Sequence, residues 1–492
     1  MAISFNTVPT SFRVPFLAAE FDTSRAQQGP AILAYAGLLV GQKLSTGTAT
    51  ADTVVRCTGV GDAITKAGRG SMLHRMSKAW FAVNKSTPLY LGVLADNGAG
   101  VAATGTIVFT AASTAAGTLS LYLGGELVQV AVAAGDATTA LATNTAAAIN
   151  ANLDLPVTAS VAASTVTITF RHKGLVGNAY DVRVNYRDDE KLPAGVALTI
   201  NAVGSVVAGT TNPSLANLIA AMADLWFHIW AHPYTDATSL AAIEAELVSR
   251  AGPLRMIDGL AISAAAGNLA TLLALGASRN GPYSTIFAQP GASPLTPPME
   301  FAAEAAGLVA LHGAADPARP FQTLAFVRAM PTLESDQWSL EERNQLLFSG
   351  IATTKRTTTG VQLERVITTY RTAPSGETDT SLLDATSVLT LMYLRFSWRQ
   401  RMLTRYPRHK LASDGTRFSS GQQIITPKIG KAEALLWFRE MEGAGLVEGF
   451  DQFKRDLVVE RNATDPNRLD FLLPPDLINQ LIFVGTQIQF KL

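Results

Sequence analysis

The sequence predicts a multidomain α/β protein with a mixed-sheet α/β core, a β-rich insertion domain and extended terminal arms. Strand-like and helix-like segments alternate on both sides of residues 96–209, as expected when helices cover a largely parallel sheet. The 96–209 segment is instead rich in Ala, Thr, Gly and Val and has few aromatic residues. Both ends of the chain alternate apolar and polar residues, which is the period of a β-strand.

The chain has 492 residues, which is too long for a single hydrophobic core. Changes in composition and in hydrophobic period therefore serve as predicted domain boundaries. The predicted parts are an N-terminal arm (1–27), the first part of the core (28–95), the insertion domain (96–209), the second part of the core (210–339), a C-terminal domain (340–480) and a C-terminal arm (481–492).

The first part of the core contains three strand patterns and one helical pattern. The strand patterns are PAILAYAG, which would end at Gly37, then TVVRCTGV and PLYLGVLAD. A helix is predicted for GSMLHRMSKAWFAVN, whose apolar residues recur at helical spacing. The glycines of GVGDAI and AGRGS are interpreted as tight turns before a helix, because neither run completes a dinucleotide-binding fingerprint.

The insertion domain is predicted from a hairpin, a helix and two further strands. GTLSLYLGGELVQVAV has strand patterns on both sides of Gly124-Gly125, which is a hairpin signal. A helix is predicted for Thr138–Asn152, and strands for VTITF and AYDVRVNY. The run AVGSVVAGTTNPS is interpreted as the linker that returns to the core.

The second part of the core resumes the alternation of helices and strands. Helices are predicted for LANLIAAMADLWFHIWA, SLAAIEAELVSRA, GNLATLLALGASRN and PMEFAAEAAGLVALHGA, and strands for RMIDGLAIS and STIFAQP. The apolar runs Ile219–Ala231 and Leu260–Ala277 contain polar or charged residues. We therefore interpret them as buried core helices and predict no insertion into a membrane.

The C-terminal domain is predicted to mix helices with strands. Helices are predicted for SLEERNQLLFSG and for the long run SLLDATSVLTLMYLRFSWRQRMLTRY. A strand pair is predicted between them at GVQLERVITTYRT, and the remainder of the domain is rich in strand patterns.

Charge and cysteine content restrict the class of protein. Lys plus Arg and Asp plus Glu number 39 each, and this zero net charge argues against nucleic acid as a partner. Charged residues make up only 16% of the chain, which favours a surface partly covered by other subunits, although a bland, Ala-rich surface would have the same composition.

The single cysteine, Cys57, excludes an internal disulfide framework, and no basic and apolar signal segment begins the chain. We expect a soluble protein made inside a cell.

The motifs of common enzymes are missing from the sequence. It has no GxxxxGK[ST] run for phosphate binding and no GxSxG nucleophile elbow, so we predict no enzyme, no catalytic residues and no cofactor. His228 and His232 are four residues apart and could share a metal, but no acidic partner is in helical register with them. We interpret them as a half-buried pair at the end of a core helix and Cys57 as a small buried apolar residue, so no metal site is predicted.

A basic run, RFSWRQRMLTRYPRHK, contains no acidic residue. In a nucleic-acid groove, Trp398 and Tyr406 would stack on bases, but the zero net charge favours an acidic protein surface. The segment MEGAGLVEGFD, in the same chain or in a neighbouring one, could supply that surface. The residues of this predicted charged interface are Arg395, Arg399, Arg405, Arg408, Glu442, Glu448 and Asp451.

Both termini have the pattern of strands that need a partner. At the N-terminus the apolar residues alternate with polar ones, and two prolines keep the chain extended. At the C-terminus the apolar residues alternate with Gln487, Gln489 and Lys491. Because a free terminus frays, each arm is expected to pair with an open sheet edge. The predicted subunit-contact residues are Ile3, Phe5, Pro9, Pro15, Ile488, Phe490 and Leu492.

Several motifs, in the same order along the chain, resemble contractile tail sheath proteins of Mu-like bacteriophages. The first, ISFNTVPTSFRVPFLAAEFDTSRAQQG, is similar to the family's opening strand with RVP and EFD. Two positions depart from the family pattern. Pro15-Phe16 stands where many sheath proteins have Pro-Gly, and the later run AGRGS stands where Phe-Gly-x-Gly-Ser is common. The C-terminal half contributes ERNQLLFSGIATTKRTTTGVQLERVITTYRT, TSLLDATSVLTLMYLRFSWRQRM and LVVERNATDPNRLDFLLPPDLINQ. The resemblance covers residues 1–95 and 205–492, and residues 97–205 resemble the family's variable insertion only in position and character.

The resemblance implies a structural subunit that forms a helical homo-oligomer, with stacked rings, around a tail tube. Its terminal arms would add strands to neighbouring subunits, and contraction by rigid-body rearrangement without nucleotide hydrolysis would drive the tube through the host envelope. The implied partners are the tail tube protein and the baseplate and tail terminator proteins. The implied location is the virion tail, after assembly in the host cytoplasm. The alternatives are another self-assembling phage tube or shell protein, or an α/β enzyme.

Overall fold

The computed structural model describes residues 33–419 and 421–491. Within these ranges the chain forms two compact units. The larger unit consists of residues 34–395 and 479–491, and the smaller unit consists of residue 33 and residues 396–478 without residue 420.

The fold contains many short strands. Those before residue 366 are β1 Gly37–Gln42, β2 Thr53–Cys57, β3 Leu89–Leu94, β4 Ala102–Ala111, β5 Gly117–Leu123, β6 Glu126–Val132, β7 Val157–Ala162, β8 Thr165–Lys173, β9 Val182–Val184, β10 Ala197–Asn201, β11 Ile229–Ala231, β12 Leu260–Gly267, β13 Ser284–Pro290, β14 Thr353–Thr357 and β15 Gly360–Arg365. The later ones are β16 Lys410–Leu411, β17 Ile424–Ile425, β18 Val447–Glu448, β19 Val458–Arg461, β20 Leu469–Leu472 and β21 Asp476–Leu477.

Helices alternate with these strands through much of the chain. They are α1 Val60–Ala67, α2 Met72–Val83, α3 Thr138–Ala151, α4 Ala216–Met222, α5 Ala237–Ala251, α6 Leu269–Ala277, α7 Pro298–Ala315, α8 Leu340–Phe348, α9 Ala385–Arg405, α10 Pro427–Gly443 and α11 Phe450–Asp456. Two short 3₁₀ turns lie at Leu175–Ala179 and Glu334–Asp336.

The larger unit is built on a six-stranded sheet with the order β13-β12-β11-β1-β3-β2. Five of its strands run parallel, and the edge strand β2 runs antiparallel to β3. Helices cover both faces: α2 and α7 pack on one, and α4, α5 and α6 contribute to the apolar clusters on the other. A mixed α/β fold with several sheets, as the sequence predicts, is therefore confirmed.

Strand β1 is buried on both faces of the sheet and requires a glycine at residue 37. All of its residues are buried, because helices lie against both faces of the strand. Leu38 and Val40 join the cluster formed with α4 and α5, whereas Gly37 faces α2. A Cβ atom on Gly37 would lie 2.4 Å from the Cη2 atom of Trp80. The absence of a side chain at residue 37 therefore lets the Trp80 ring pack directly on the sheet.

Residues 102–201 form two sheets of their own. One has the strand order β10-β4-β8-β7 and the other β6-β5-β9. The predicted hairpin is confirmed, because β5 and β6 pair antiparallel around Gly124 and Gly125, which have φ angles of 54° and 79°. The predicted helix is α3, whereas β4, β7 and β10 were not predicted. The assignment of residues 96–209 as a separate insertion domain stays a prediction, as do the other domain boundaries.

Several predicted elements are wrong in type or in boundary. PAILAYAG is not a strand in its described residues 33–36, and β1 begins at Gly37, where that strand was predicted to end. The strand predicted for TVVRCTGV ends at Cys57, and most of GVGDAI, interpreted as a tight turn before a helix, already belongs to α1. The predicted strand pair at GVQLERVITTYRT contains only β15, which pairs with the preceding β14. Apolar runs fix these boundaries poorly because neighbouring buried segments have similar compositions.

The two apolar runs that we interpreted as core helices each contain a strand. In Ile219–Ala231, α4 ends at Met222, Ala223 takes a left-handed φ of 40°, and β11 occupies the last three residues. In Leu260–Ala277, β12 precedes α6, and the side chain of Asn268 caps the helix by accepting a hydrogen bond from the Thr271 amide at 2.9 Å. Apolar content alone does not distinguish a buried strand from a buried helix.

A buried ion network joins α2, α7 and the β5–β6 hairpin. The Arg75 guanidinium, 1% exposed, donates two hydrogen bonds to the Glu300 carboxylate at 2.8 and 3.0 Å. Its Nη1 lies 3.0 Å from Glu126 Oε1, as an ion pair without hydrogen-bond geometry. Lys78 and Arg328 also contact Glu126, at 3.3 and 2.8 Å. The hairpin is therefore attached to the sheet and helices through charges.

A second carboxylate of α7 fixes a long loop. Glu304, four residues after Glu300, is fully buried and accepts hydrogen bonds from the backbone amides of Val327, Arg328 and Ala329. Burial raises the pKa of Glu304, and the amide hydrogen bonds act in the opposite direction. One helix therefore positions both the ion network and the loop that supplies Arg328.

A histidine attaches β8 to the ends of β1 and β3. His172 Nδ1 lies 2.9 Å from the Asp96 carboxylate, and His172 Nε2 accepts a hydrogen bond from the Met72 amide at 3.0 Å. The Gln42 amide donates to the same carboxylate at 2.7 Å. Residues of the two smaller sheets thus contact the core at Glu126 and at His172, as well as through the Tyr186 hydroxyl, which donates to the Pro331 carbonyl at 2.9 Å.

The smaller unit consists of helices and two-stranded sheets. Its strand pairs are β16–β17, β18–β21 and β19–β20. The core of the unit is aromatic: Trp398 contacts Trp437 and Phe471 edge to face, and Phe438 stacks on Phe453. Aromatic contacts of this kind stabilise small units that have little sheet.

We expect Arg75→Met to destabilise the larger unit by about 3–5 kcal/mol, because it leaves the Glu300 carboxylate buried without its cation. The midpoint of thermal or urea unfolding of the full chain measures the effect. The double variant Arg75→Met/Glu300→Leu is the control, since it removes both charges and should recover much of the loss. A single variant as stable as the parent would contradict the assigned role of the ion pair.

The stability supplied by Glu126 should depend on pH. Partial burial acts to raise the pKa of Glu126, but Arg75, Lys78 and Arg328 outweigh it and lower the pKa from 4.5 to about 2. A lowered carboxyl pKa contributes stability that is present above pH 4.5 and is lost as the pH falls towards 2. The melting temperatures of the parent and of Glu126→Gln should therefore differ most above pH 4.5 and converge on acidification.

The exposed glutamate Glu341 supplies the control for this pH series. The variant Glu341→Gln should melt close to the parent, as substitutions on the surface usually do. A Glu126→Gln variant whose difference from the parent stays constant from pH 7 to about pH 2.5 would contradict the proposed linkage.

Candidate assembly interface

The C-terminal segment exposes apolar side chains in the single chain. Residues 478–491 contain neither helix nor strand, and Phe483, Ile488 and Phe490 are 85%, 84% and 80% exposed. The Gln322 side chain donates a hydrogen bond to the Leu481 carbonyl at 3.4 Å. Single exposed apolar residues are ordinary, but several within one short segment indicate an interaction surface.

Two of the seven predicted arm residues lie within the described residues. Ile3, Phe5, Pro9, Pro15 and Leu492 lie outside the described residues. Ile488 and Phe490 are described and are exposed, as a contact with another chain would require. The segment forms no strand within its own chain, so its pairing with a neighbouring subunit stays a prediction.

Open strand edges are present in the smaller unit. The β19–β20 hairpin pairs Val458 with Leu472 and Arg461 with Leu469, and among the described residues no third strand extends it. Val458 and Leu472 are 46% and 61% exposed. An edge of this kind presents unpaired backbone N–H and C=O groups that an added strand can satisfy.

The basic run has acidic partners that the sequence analysis missed. Arg401 pairs with Glu433 and, at 2.5 Å, with Glu440, and Arg405 lies 2.9 Å from Glu433. The Tyr406 hydroxyl donates to the same Glu433 carboxylate at 2.9 Å. Burial and the Glu433 charge together raise the pKa of Tyr406 to about 12. The second half of α9 is thus attached to α10 around a carboxylate that is 5% exposed.

Arg395 of the basic run and Glu442 of the predicted acidic segment have other contacts within the chain. Arg395, in the larger unit, contacts the Asp258 carboxylate at 3.0 Å and the Ala251 carbonyl at 2.6 Å. Glu442 pairs with Arg439 at 2.7 Å. Within one chain, Arg395 and Arg405 therefore have other carboxylate partners than the predicted ones.

Four other members of the predicted charged interface lie at the surface of the chain. Arg399, Arg408, Glu448 and Asp451 are exposed. Their pairing with a neighbouring chain stays a prediction.

Glu433 could have been found from its position seven residues before Glu440, because this spacing places two acidic residues on one side of a helix.

The histidines considered as metal ligands are core residues on either side of a strand. His228 precedes β11 and His232 follows it, so the predicted position at the end of a helix is wrong, as is their half-burial, since they are 3% and 0% exposed. The His228 ring stacks between Tyr35 and Trp226 at 4.8 and 4.6 Å. Burial lowers the pKa of His228 to about 3 and of His232 to about 4.

The described residues contain neither a cluster of metal-ligating side chains nor a helix that could span a membrane. In residues 33–419 and 421–491, no three or more His, Cys, Asp or Glu residues are grouped so that they could hold a metal ion. Over the same ranges, each helix is too short or too polar to cross a bilayer. Cys57 is buried, as predicted, and burial raises the pKa of its thiol.

Two sequence-family models match the chain. Residues 208–369 match the central domain of phage tail sheath proteins, and residues 377–491 match the C-terminal domain of phage tail sheath proteins. Together these matches cover more than half of the 492 residues.

Solved structures that resemble this chain include a sheath tail protein of Desulfitobacterium hafniense. It is 12% identical, with a TM-score of 0.46, and the match covers 95% of this chain and 100% of that one. A sheath complex of an extracellular contractile injection system in its contracted state is 9% identical, with a TM-score of 0.48 and 98% of both chains covered.

A curated relative is similar over its whole length. The Mu-like prophage FluMu tail sheath protein of Haemophilus influenzae is 40% identical over 493 aligned residues, which cover 100% of both chains. An identity of this size over the full length, together with the two matched domains, shows the family. The chain belongs to the phage tail sheath proteins and is a structural protein of a contractile virion tail.

Proposed function

We propose that the chain polymerises with copies of itself into a helical sheath, built as stacked rings around a tail tube. Terminal arms link the subunits by adding strands to sheets of their neighbours. The observation that carries this proposal is the C-terminal segment, in which Ile488 and Phe490 alternate with polar residues and are largely exposed.

The energy of one such contact can be estimated from its parts. Each apolar side chain that becomes buried contributes about 1.5–3 kcal/mol, and each backbone hydrogen bond contributes about 0.5–1.5 kcal/mol. Ordering the segment costs about 1–2 kcal/mol for each residue. The net gain is therefore small for one arm, and it becomes decisive only because every subunit in the lattice repeats it.

Contraction is proposed to be a rigid-body rearrangement of the subunits between two packings. The extended packing would be the less stable one, so no nucleotide is hydrolysed when the sheath shortens. The charged attachments at Glu126 and the His172–Asp96 contact support rigid-body movement, because they hold the smaller sheets against the core. The shortening sheath would drive the tube through the host envelope.

The proposed partners follow from the family. They are the tail tube protein inside the sheath, and the baseplate and tail terminator proteins at its two ends. The proposed site of assembly is the host cytoplasm, and the mature location is the virion tail. The Haemophilus influenzae relative, which is named as a tail sheath protein, supports this proposal.

The double variant Ile488→Asp/Phe490→Asp should abolish tube formation while the subunit stays folded. Two carboxylates would enter the apolar sites of the neighbouring subunit and would be desolvated there. Negative-stain electron microscopy and sedimentation measure assembly, and circular dichroism measures folding.

The matched control is Gln487→Asp/Gln489→Asp, which places the same charges on the opposite side of the same strand. Tubes should form with this control, because its side chains would face solvent. Tubes of normal yield from the Ile488/Phe490 variant would contradict the proposed role of the arm.

Contraction should need no nucleotide. Tails assembled with their tube and transferred by gel filtration into nucleotide-free buffer with EDTA should still shorten when mild urea or acid destabilises the extended packing. Particle lengths in electron micrographs measure the change, and a parallel sample with Mg²⁺ and ATP is the control. Shortening only in the sample with ATP would contradict the proposed mechanism.

A further inference from the structure

A small cavity lies beside the carboxyl end of β13 in the larger unit. It has a volume of about 150 Å³, is partly open to solvent, and is bounded by the ends of β13 and α7, by α8 and by the β14–β15 hairpin. A cavity of about 150 Å³ is large enough for one benzene-sized ring. The volume therefore suits a single six-membered ring better than a two-ring indole.

Apolar side chains form part of the cavity wall. They include two aromatic side chains, one thioether, one leucine and three prolines: Phe301, Trp338, Met330, Leu295, Pro290, Pro294 and Pro331. Aromatic rings pack favourably against other rings and against sulfur. An aromatic guest would thus find partners on several sides.

One polar side chain in the lining has an unused acceptor. Gln289 is 4% exposed, and its amide Nε2 donates to the Thr296 carbonyl at 3.0 Å. Its Oε1 is buried and has no hydrogen-bond partner among the described residues. The Thr296 side chain is itself held by the Met330 amide at 2.8 Å, so Gln289 is fixed in place. A buried acceptor without a donor is costly, and a guest with an O–H group would supply one.

The charges of the lining are all positive. Arg343, Lys355 and Arg356 contribute to it, and no Asp or Glu does. Arg343 pairs with Glu364 at 2.9 Å, whereas Lys355 and Arg356 are exposed, and Arg356 donates to the Thr332 carbonyl at 3.1 Å. The opening therefore attracts negatively charged groups and repels cations.

We propose that this cavity binds a tyrosine side chain that a partner protein presents next to acidic residues. The phenol ring fills the cavity, its hydroxyl donates to Gln289 Oε1, and the flanking carboxylates lie near Lys355 and Arg356. Phenylalanine would lack the donor, and lysine or arginine would be repelled. This inference goes beyond sheath assembly through the arms and does not depend on it, because none of the lining residues belongs to the arms.

The test is a binding titration of the full-length protein with short capped peptides, followed by ligand-observed NMR. The probe is acetyl-Asp-Tyr-Glu-amide, and the comparison peptides are acetyl-Asp-Phe-Glu-amide and acetyl-Asp-Leu-Glu-amide. We expect saturable binding of the tyrosine peptide, with the phenylalanine peptide weaker by about threefold to tenfold, the range of one net hydrogen bond. The leucine peptide should be weaker still.

A double-mutant cycle isolates the contact with Gln289. In Gln289→Leu, the buried acceptor is replaced by an apolar group of similar size, and the tyrosine and phenylalanine peptides should bind equally. Lys355→Glu and Arg356→Glu should each weaken the tyrosine peptide by about twofold to fivefold at low salt. The control is Lys85→Glu, which changes an exposed lysine outside the lining and should leave binding unchanged.

Three results would overturn the proposal. One is the absence of saturable binding of the tyrosine peptide up to millimolar concentration. Another is a tyrosine-to-phenylalanine ratio that is the same in the parent and in Gln289→Leu, since the hydroxyl would then not contact Gln289. The third is binding of the small aromatic acid 3-(4-hydroxyphenyl)propionate without binding of the peptide, which would assign the cavity to a small molecule instead of a protein partner.

Discussion

The larger unit depends on the ion pairs that the buried Arg75 guanidinium makes with Glu300 and Glu126. A full charge at 1% exposure is tolerated only with close counter-charges, and the chain supplies these from two distant places, Glu300 on α7 and Glu126 at the start of β6. The sheet, its covering helix and the hairpin must therefore come together before the charge can be buried. Because α7 also carries Glu304, which fixes residues 327–329, one helix positions both the ion network and the loop that supplies Arg328.

The smaller unit uses the same principle with a different set of residues. Glu433 is a buried carboxylate that receives Arg401, Arg405 and a tyrosine hydroxyl. In both units, then, a few charged groups are buried and pair with one another inside the fold. This arrangement agrees with a chain in which only 16% of residues are charged and whose surface is proposed to be covered by copies of itself.

The sequence predicted the alternation of strands and helices and the hairpin at Gly124-Gly125, because hydrophobic period and turn glycines are local properties. It did not predict β11, since the run Ile219–Ala231 is mostly apolar and gives no period that separates α4, which ends at Met222, from the short strand that begins at Ile229. The ion network was also missed, because Arg75 and Glu300 are 225 residues apart and no local pattern relates them. The cavity beside β13 was missed for the same reason, while the family was recognised from ordered motifs that need no structure.

The exposed C-terminal segment has a consequence for how the proposed polymerisation of subunits would begin. A subunit whose Phe483, Ile488 and Phe490 face water gains from any partner, but pairing two free subunits must order both arms for one new contact, and that ordering costs about 1–2 kcal/mol for each residue. A subunit that joins an existing ring meets edges that are already held in place. The proposed polymerisation would by this route be nucleated: below a critical concentration free subunits would persist, and a preformed template such as a tube would set where the first ring appears.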